Sequence, residues 1–146
     1  MSDREVINDV LVHLFNEISK LEEQAVRTSE FPSLSNNDMH IIAAIGLEGD
    51  NMSSIARKLS ITVGSLTTAM NSLVKKHYVE RERSERDRRI VNIHLTESGL
   101  AAYRYHEAFH EQMTDAVIER LGENEVRVLA TALQDLSEFF RTYGKK

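Results

Sequence analysis

The sequence has no cysteine, which excludes disulfides, thiolate metal sites and a cysteine nucleophile. Its only proline is Pro32, and no apolar run approaches membrane-spanning length. There is no Gly-x-Ser-x-Gly, no phosphate-loop pattern and no pair of carboxylates in a setting suited to acid–base chemistry, so the enzyme classes lack their residues. No apolar stretch follows Met1-Ser2-Asp3-Arg4-Glu5, and the expectation is a cytoplasmic protein with no membrane partner. Repeats and low-complexity tracts are also missing. The most informative deficit is local: residues 51–79 contain no Asp or Glu, although the chain holds 23 acidic residues against 18 basic ones.

Charge is zoned accordingly. Residues 51–95 carry 9 Lys and Arg against 4 Asp and Glu, a net +5, which leaves −10 for the rest of a chain whose net charge is −5. An acidic protein that collects its positive charge in one segment is built to meet an anionic partner there, and phosphate binding rewards that asymmetry. With 146 residues the chain can form one substantial core and an appended dimerisation element.

Apolar residues at 7, 10, 14, 18, 21 and 25 recur three and four apart and predict a helix over about residues 2–28. Val6, Leu11 and Phe15 widen its stripe beyond what one neighbour can cover. Pro32 disfavours helix at Phe31 and ends the element. Ser35 with Asp38 three residues on reads as a capping-box start for a second helix carrying Met39, Ile41, Ile42, Ala44, Ile45 and Leu47, closed by Gly46 and Gly49. Ser53 or Ser54 is expected to cap a short third helix that buries Ile55, Ala56 and Leu59. Ser60-Ile61-Thr62 is the turn, and Thr62 caps a fourth helix over residues 63–76. Residues 78–81 and 90–95 read as a hairpin, with Val91, Ile93 and Leu95 alternating against Asn92 and His94. Thr96 starts a fifth helix that Gly122 ends, and Val126, Leu129, Leu133, Leu136, Phe140 and Tyr143 mark a sixth with coiled-coil spacing.

This order predicts a mainly α fold: a winged helix-turn-helix with a two-stranded β-wing and a helical dimerisation region from both chain ends. The domains expected are a dimerisation helix and linker over residues 1–34, a DNA-binding domain over 35–95, and dimerisation helices over 96–146. On the fourth helix Val63, Leu66, Met70, Leu73 and Val74 share one face. Gly64, Thr68, Asn71, Ser72 and Lys75 lie opposite, flanked by Ser65 and Thr67. A solvated helix more often carries Glu and Lys, whereas small hydroxyl and amide residues suit close approach to bases and phosphates. Ser54 and Thr62 join these as candidate DNA contacts.

The loop between the strands supplies Arg83, Arg86, Asp87, Arg88 and Arg89. Such a charged hairpin is commonly just solvated, but here it follows a recognition-like helix. Arg86 or Arg88 at the tip suits a narrow, A/T-rich minor groove, with Asp87 orienting a neighbouring Arg. Arg83 and Arg89 read as phosphate contacts or stem charges. Gly64 either costs helix propensity or lets the helix N-terminus press on a phosphate, and the second reading is favoured.

Ser54-Ile55-Ala56-Arg57-Lys58-Leu59, the hydroxyl-rich fourth helix, Asp87-Arg88-Arg89 before Ile90-Val91, and Leu95-Thr96-Glu97-Ser98-Gly99 resemble the MarR family of winged-helix regulators over nearly the whole chain. Within it, Met39-His40, Val63-Gly64-Ser65 leading into Thr67-Thr68, Arg83-Ser84-Glu85, His94-Leu95-Thr96, and His106 and His110 around Phe109 are similar to the FabT-type repressors of bacterial fatty-acid synthesis genes. That resemblance implies a homodimer on an inverted-repeat operator in double-stranded DNA. It also implies tighter DNA binding when a long acyl chain on acyl carrier protein occupies the regulator, and no cofactor.

Effector-site candidates are Phe15, Ile18, Met39, His40, Ile42, His106, Phe109 and Met113, placed where the first, second and fifth helices are expected to meet. Methionines there suit a pliable acyl pocket but are more often ordinary core. His106 and His110, one helical turn apart, with His40 and with Glu22 or Glu23, form the alternative of a zinc site like those of zinc-sensing relatives in the same family. A His-x-x-x-His without cysteine is weak evidence for metal, and the acyl reading is preferred.

Overall fold

The computed structural model describes residues 1–144. Six helices and three short strands follow in the order α1 (Asp3–Arg27), α2 (Asn36–Ile45), β1 (Asp50–Asn51), α3 (Met52–Leu59), α4 (Val63–Lys75), β2 (Val79–Arg83), β3 (Val91–Leu95), α5 (Glu97–Glu119) and α6 (Glu123–Thr142). Among the described residues, no helix is long and apolar enough to cross a membrane.

Most element starts are written in side chains. Ser2 with Glu5, and Ser35 with Asp38, form complete capping boxes on α1 and α2. Thr62 Oγ1 accepts from the Ser65 N–H at 3.1 Å to cap α4, and Thr96 Oγ1 accepts from the Gly99 N–H at 3.1 Å at the start of α5. Phe31-Pro32-Ser33-Leu34 closes a turn in which the Leu34 N–H donates to the Phe31 carbonyl. The cap of α3 differs from expectation: Asn51, not Ser53 or Ser54, accepts from the Ser54 N–H at 2.8 Å. An Asx side chain placed one residue before the helix does the work that a serine inside it cannot.

The two-stranded wing is present, and a third strand that was not expected joins it. β3 pairs antiparallel with β2 over Val79↔Leu95 to Arg83↔Val91, and on its other side with β1 through Asp50↔Ile93 and Asn51↔Asn92. The sheet order is therefore β1-β3-β2. β2 begins one residue later and runs two residues further than the sequence indicated.

Two compact units divide at Phe109 and His110, inside α5. The first holds the core, where Met39, Ile41, Ile42 and Ile45 of α2 meet Ile55, Leu66, Met70, Leu73, Val79 and Ile93. Each of these side chains is essentially inaccessible to solvent. α4 ends in a turn where the Tyr78 N–H returns to the Leu73 carbonyl and His77 takes φ +66°, a left-handed position usually given to glycine. A side-chain carbon at Gly99 would collide with the Tyr78 carbonyl oxygen, so α5 can pass this turn only without one. Only Glu22 and Val26 of α1 are buried, while Val6, Ile7, Val10, Leu11, Leu14 and Phe15 are exposed in the single chain. In the second unit α6 buries none of its residues, and Leu129, Leu133, Leu136, Phe139 and Phe140 are exposed as well.

Asp50 fastens the corner between α2, β1 and α3. Its carboxylate accepts from Lys58 Nζ at 2.8 Å and from Ser54 Oγ at 2.7 Å, and Lys58 also donates to the Ala44 carbonyl. The Lys58 bond, then the Ser54 bond, lower its pKa from 3.8 to about 2. A depressed carboxylate stabilises the fold above its unfolded pKa and loses that contribution as pH falls through the folded one. Asp50→Asn should therefore cost about 1–2 kcal/mol at neutral pH. The difference from the wild type should shrink between pH 3.8 and about 2, as read from denaturant titrations. A difference independent of pH would assign the loss to packing.

Candidate nucleic-acid interface

α4 is two-faced. Leu66, Met70 and Leu73 are fully buried, whereas Gly64, Ser65, Thr68, Asn71 and Lys75 are exposed and Thr67 and Ser72 lie half-buried at the border. Val63, expected on the inner face, is 46% exposed, because as the first helical residue it projects back past the end of the core. The outer hydroxyls are not equivalent. Thr62 and Ser65 hydrogen-bond each other through their hydroxyls at 3.0 Å, and Thr67 donates to the Val63 carbonyl at 2.8 Å. Thr68 and Lys75 make no side-chain hydrogen bond among the described residues, so their donors are available to a ligand. Ser54 is half-buried and its hydroxyl is committed to Asp50, which makes it part of the scaffold rather than an outward contact.

A side-chain carbon at Gly64 would meet only Thr62 Oγ1, at 3.9 Å. Nothing among the described residues requires glycine there. The start of α4 also leaves backbone N–H groups without helical acceptors and the positive end of the macrodipole facing outward.

The wing hairpin is tied by the Ser84 N–H to the Ile90 carbonyl at 2.8 Å and the Ile90 N–H to the Asp87 carbonyl at 2.9 Å. Asp87 grips Arg89 in a fork, with Nε to Oδ1 and Nη2 to Oδ2 both at 3.0 Å. The Arg89 side chain lowers the Asp87 pKa and the pair raises that of Arg89. Arg83 donates to the Arg88 carbonyl at 2.7 Å, bracing the loop from within. Arg86 and Arg88 are exposed, and their side chains make no hydrogen bond or ion pair among the described residues. Of the five wing candidates, Arg83, Asp87 and Arg89 therefore shape the loop, and the side-chain donors of Arg86 and Arg88 stay uncommitted among the described residues.

Between wing and helix lies a groove of about 560 Å³ lined by Asn51, Met52, Ser53, Val63, Thr67, Arg81, Arg83, Arg89, Ile90 and Val91. Arg81 was not among the candidates read from sequence. Its Nη1 donates to Asn71 Oδ1 at 2.6 Å, joining the wing to the recognition face. The available signal was the Glu-Arg-Glu-Arg alternation of residues 80–83, which puts both arginines on one side of a strand.

The effector candidates scatter. Met39 and Ile42 are completely buried core, Phe15 is 78% exposed, and Ile18 and Phe109 are half-buried. Met113 and His110 belong to the second unit. His40 and His106 do come together: the Glu22 carboxylate, itself only 5% exposed, lies 3.2 Å from His40 Nε2 and 3.5 Å from His106 Nε2, and the two rings are 5.8 Å apart. Glu23 is exposed and takes no part in this cluster.

Residues 33–90 match the MarR family. The crystal structure of Streptococcus pneumoniae FabT in complex with DNA superposes with a TM-score of 0.90 at 38% identity, over 95% of this chain and 98% of that one. The chain belongs to the MarR family. An uncharacterised helix-turn-helix regulator of Bacillus subtilis, YpoP, is 28% identical over 142 residues, 97% of this chain and 90% of its own. The transcriptional regulator ZitR of Lactococcus lactis is 29% identical over 112 residues, 74% of this chain and 77% of its own. These MarR-family relatives are transcriptional regulators.

Gly64→Ala separates the two readings of that residue by sign. The change should stabilise the protein by roughly 0.5–1 kcal/mol in denaturant titrations, the ordinary helix gain, and weaken binding to duplex DNA. Stabilisation with unchanged DNA affinity would remove the close-approach role.

Proposed function

We propose that the protein is a sequence-specific DNA-binding repressor that acts as a homodimer on an inverted-repeat, A/T-rich operator controlling fatty-acid biosynthesis genes. The observation that carries the DNA reading is the exposed face of α4. It is free of carboxylates, open at its N-terminus, and edged by an arginine wing in which Asp87 is paired with Arg89. α4 would lie in the major groove with the Arg86–Arg88 loop in the neighbouring minor groove, and two-fold symmetry sets half-sites about one turn, roughly 10 base pairs, apart. The exposed apolar stripes of α1 and α6 are the surface a second copy would cover. FabT, solved on DNA, is the relative that favours this reading over the whole chain.

The wing gives a direct test. Arg88→Ala should weaken operator binding and lower the dependence of log affinity on log salt by about one unit if it neutralises a phosphate. If the side chain instead sits in the minor groove, the loss should grow with A/T content at the facing bases. Neither behaviour, for Arg86 as well, would remove the wing from the interface.

A long acyl chain on acyl carrier protein is the proposed effector, with no cofactor. Phe15, Ile18 and Phe109 offer accessible apolar surface for it, and His40 and His106 its polar edge. A second reading has a specific observation behind it. Glu22 faces two histidines, a nitrogen–oxygen donor set suited to zinc, and ZitR has been solved as a zinc-responsive MarR family member. The two diverge in a single titration of operator affinity. Each added methylene of the acyl chain should contribute up to about 0.8 kcal/mol, roughly fourfold, until the site is full, with zinc and chelator having little effect. Zinc-dependent switching that weakens as pH falls through the histidine range and is lost in His106→Ala would replace the acyl reading.

A further inference from the structure

Of the five residues on the apolar face of α4, Val63 alone is left exposed by the core. It is 46% accessible, whereas Leu66, Met70 and Leu73 are fully buried and Val74 is half-buried. Stability does not ask for valine at this place. The first turn of a helix gains from an acidic side chain that offsets the macrodipole, or from proline, and valine supplies neither. Its neighbours give it no cover: Gly64 has no side chain, and the Thr62 hydroxyl is joined to Ser65.

Val63 lines the groove between α4 and the wing, and that groove has two chemistries. Arg81, Arg83 and Arg89 bring positive charge to it, while Val63, Ile90 and Val91 bring apolar surface. With α4 in the major groove and the wing loop in the minor groove, the space between them receives the sugar–phosphate strand that separates the two. The arginine charge suits its phosphates. The one apolar group on any major-groove base edge is the C5 methyl of thymine. That methyl stands at the margin of the groove, close to the backbone that carries it. A side chain on the flank of the helix beside the strand therefore meets it before the hydrogen-bonding atoms further in. We infer that Val63 is a specificity-determining residue that reads thymine: its exposed methyls pack on the C5 methyl of one thymine in each half-site and so select thymine over cytosine, which lacks that methyl. The inference rests on the DNA-binding reading above.

The side chain is prepared for such a contact. A β-branched residue in a helix keeps close to one rotamer, so little freedom is lost when a partner arrives. Thr67, one turn on and in the same groove, donates its hydroxyl proton to the Val63 carbonyl at 2.8 Å and ties the first turn to the second. A side-chain carbon at Gly64 would meet only Thr62 Oγ1, so the helix start is bare beside Val63 and open to close approach.

The test begins with selection by the full-length wild type from a duplex pool with a randomised core of about 20 base pairs, two half-sites one turn apart. Each thymine of the selected site is then replaced, one symmetric pair at a time, by deoxyuridine. That base lacks only the methyl and keeps every hydrogen-bonding atom. Affinities are measured for the wild type and for full-length Val63→Ala. At one thymine in each half-site the wild type should lose about fourfold per methyl removed, and Val63→Ala should bind thymine and deoxyuridine there equally. Deoxyuridine at the other positions should affect both proteins alike. A wild type that enriches no thymine in its half-sites, or that tolerates deoxyuridine at every position, overturns the inference without any variant. So does a Val63→Ala whose loss of affinity is the same on thymine and deoxyuridine duplexes at every position, because the valine would then touch sugar and not base. A wild type that enriches no sequence and shows no salt-dependent affinity would instead overturn the DNA reading beneath it.

Discussion

Burial of Leu66, Met70 and Leu73 is the interaction on which the rest depends, because α4 has little else to hold it. Isolated helices gain a few tenths of a kcal/mol from each ion pair between successive turns, and α4 has no carboxylate with which to form one. Its cap contributes about 1 kcal/mol through Thr62. Full burial of a large apolar side chain contributes roughly 1.5–3 kcal/mol each, so three of them outweigh the cap and replace the missing surface pairs. The outer face is thereby released from any duty to the fold. It can be small, polar and uncharged, and a glycine can stand in its first turn.

The same separation governs charge. Asp50, the last carboxylate before the acid-free stretch, is neutralised by Lys58 and hydrogen-bonded by Ser54, and Asp87 is neutralised by Arg89. β2 separates most of the rest by its pleat: the groove beside α4 is lined by Arg81 and Arg83 and by neither Glu80 nor Glu82, which line a second hollow with His77 and His94, and Glu85 stays exposed in the loop. A run that looks mixed in sequence thus becomes one-signed on the face that counts. Electrostatic attraction to a polyanion depends on that local sign, and the net −5 of the chain does not prevent it.

Contacts in the first unit also join its helices to this face. The Tyr105 hydroxyl donates to the Ala25 carbonyl near the end of α1, and Phe31 packs between Tyr105 and Tyr78, which follows the terminal turn of α4. Glu22 lies one turn earlier on α1, His106 one residue along α5, and His40 on α2. A ligand at that cluster changes DNA affinity only if it favours one of two arrangements of these packed elements over the other. The aromatic contacts are what such an arrangement would have to move.

What could be read in the sequence was mostly local. Capping boxes and hydroxyl caps act over three residues, so Ser35, Thr62 and Thr96 announce their helices, and apolar periodicity marks the buried face of α4. β1 was not legible, since Asp50-Asn51 is two residues long and has no alternation to detect. The Ser54–Asp50 bond was not legible, because a hydroxyl near a helix start serves equally as an outward contact or as an internal donor. Met39 and Ile42 have the spacing of pocket lining and of core alike, and complete burial assigns them to the core. Arg81 and Asn71 were each visible as polar residues, but their meeting is fixed by the chain reversal at His77, which neither propensity nor period encodes. A hydrogen bond from the neighbouring strand thus fixes the Asn71 side chain in a way that α4 alone does not show.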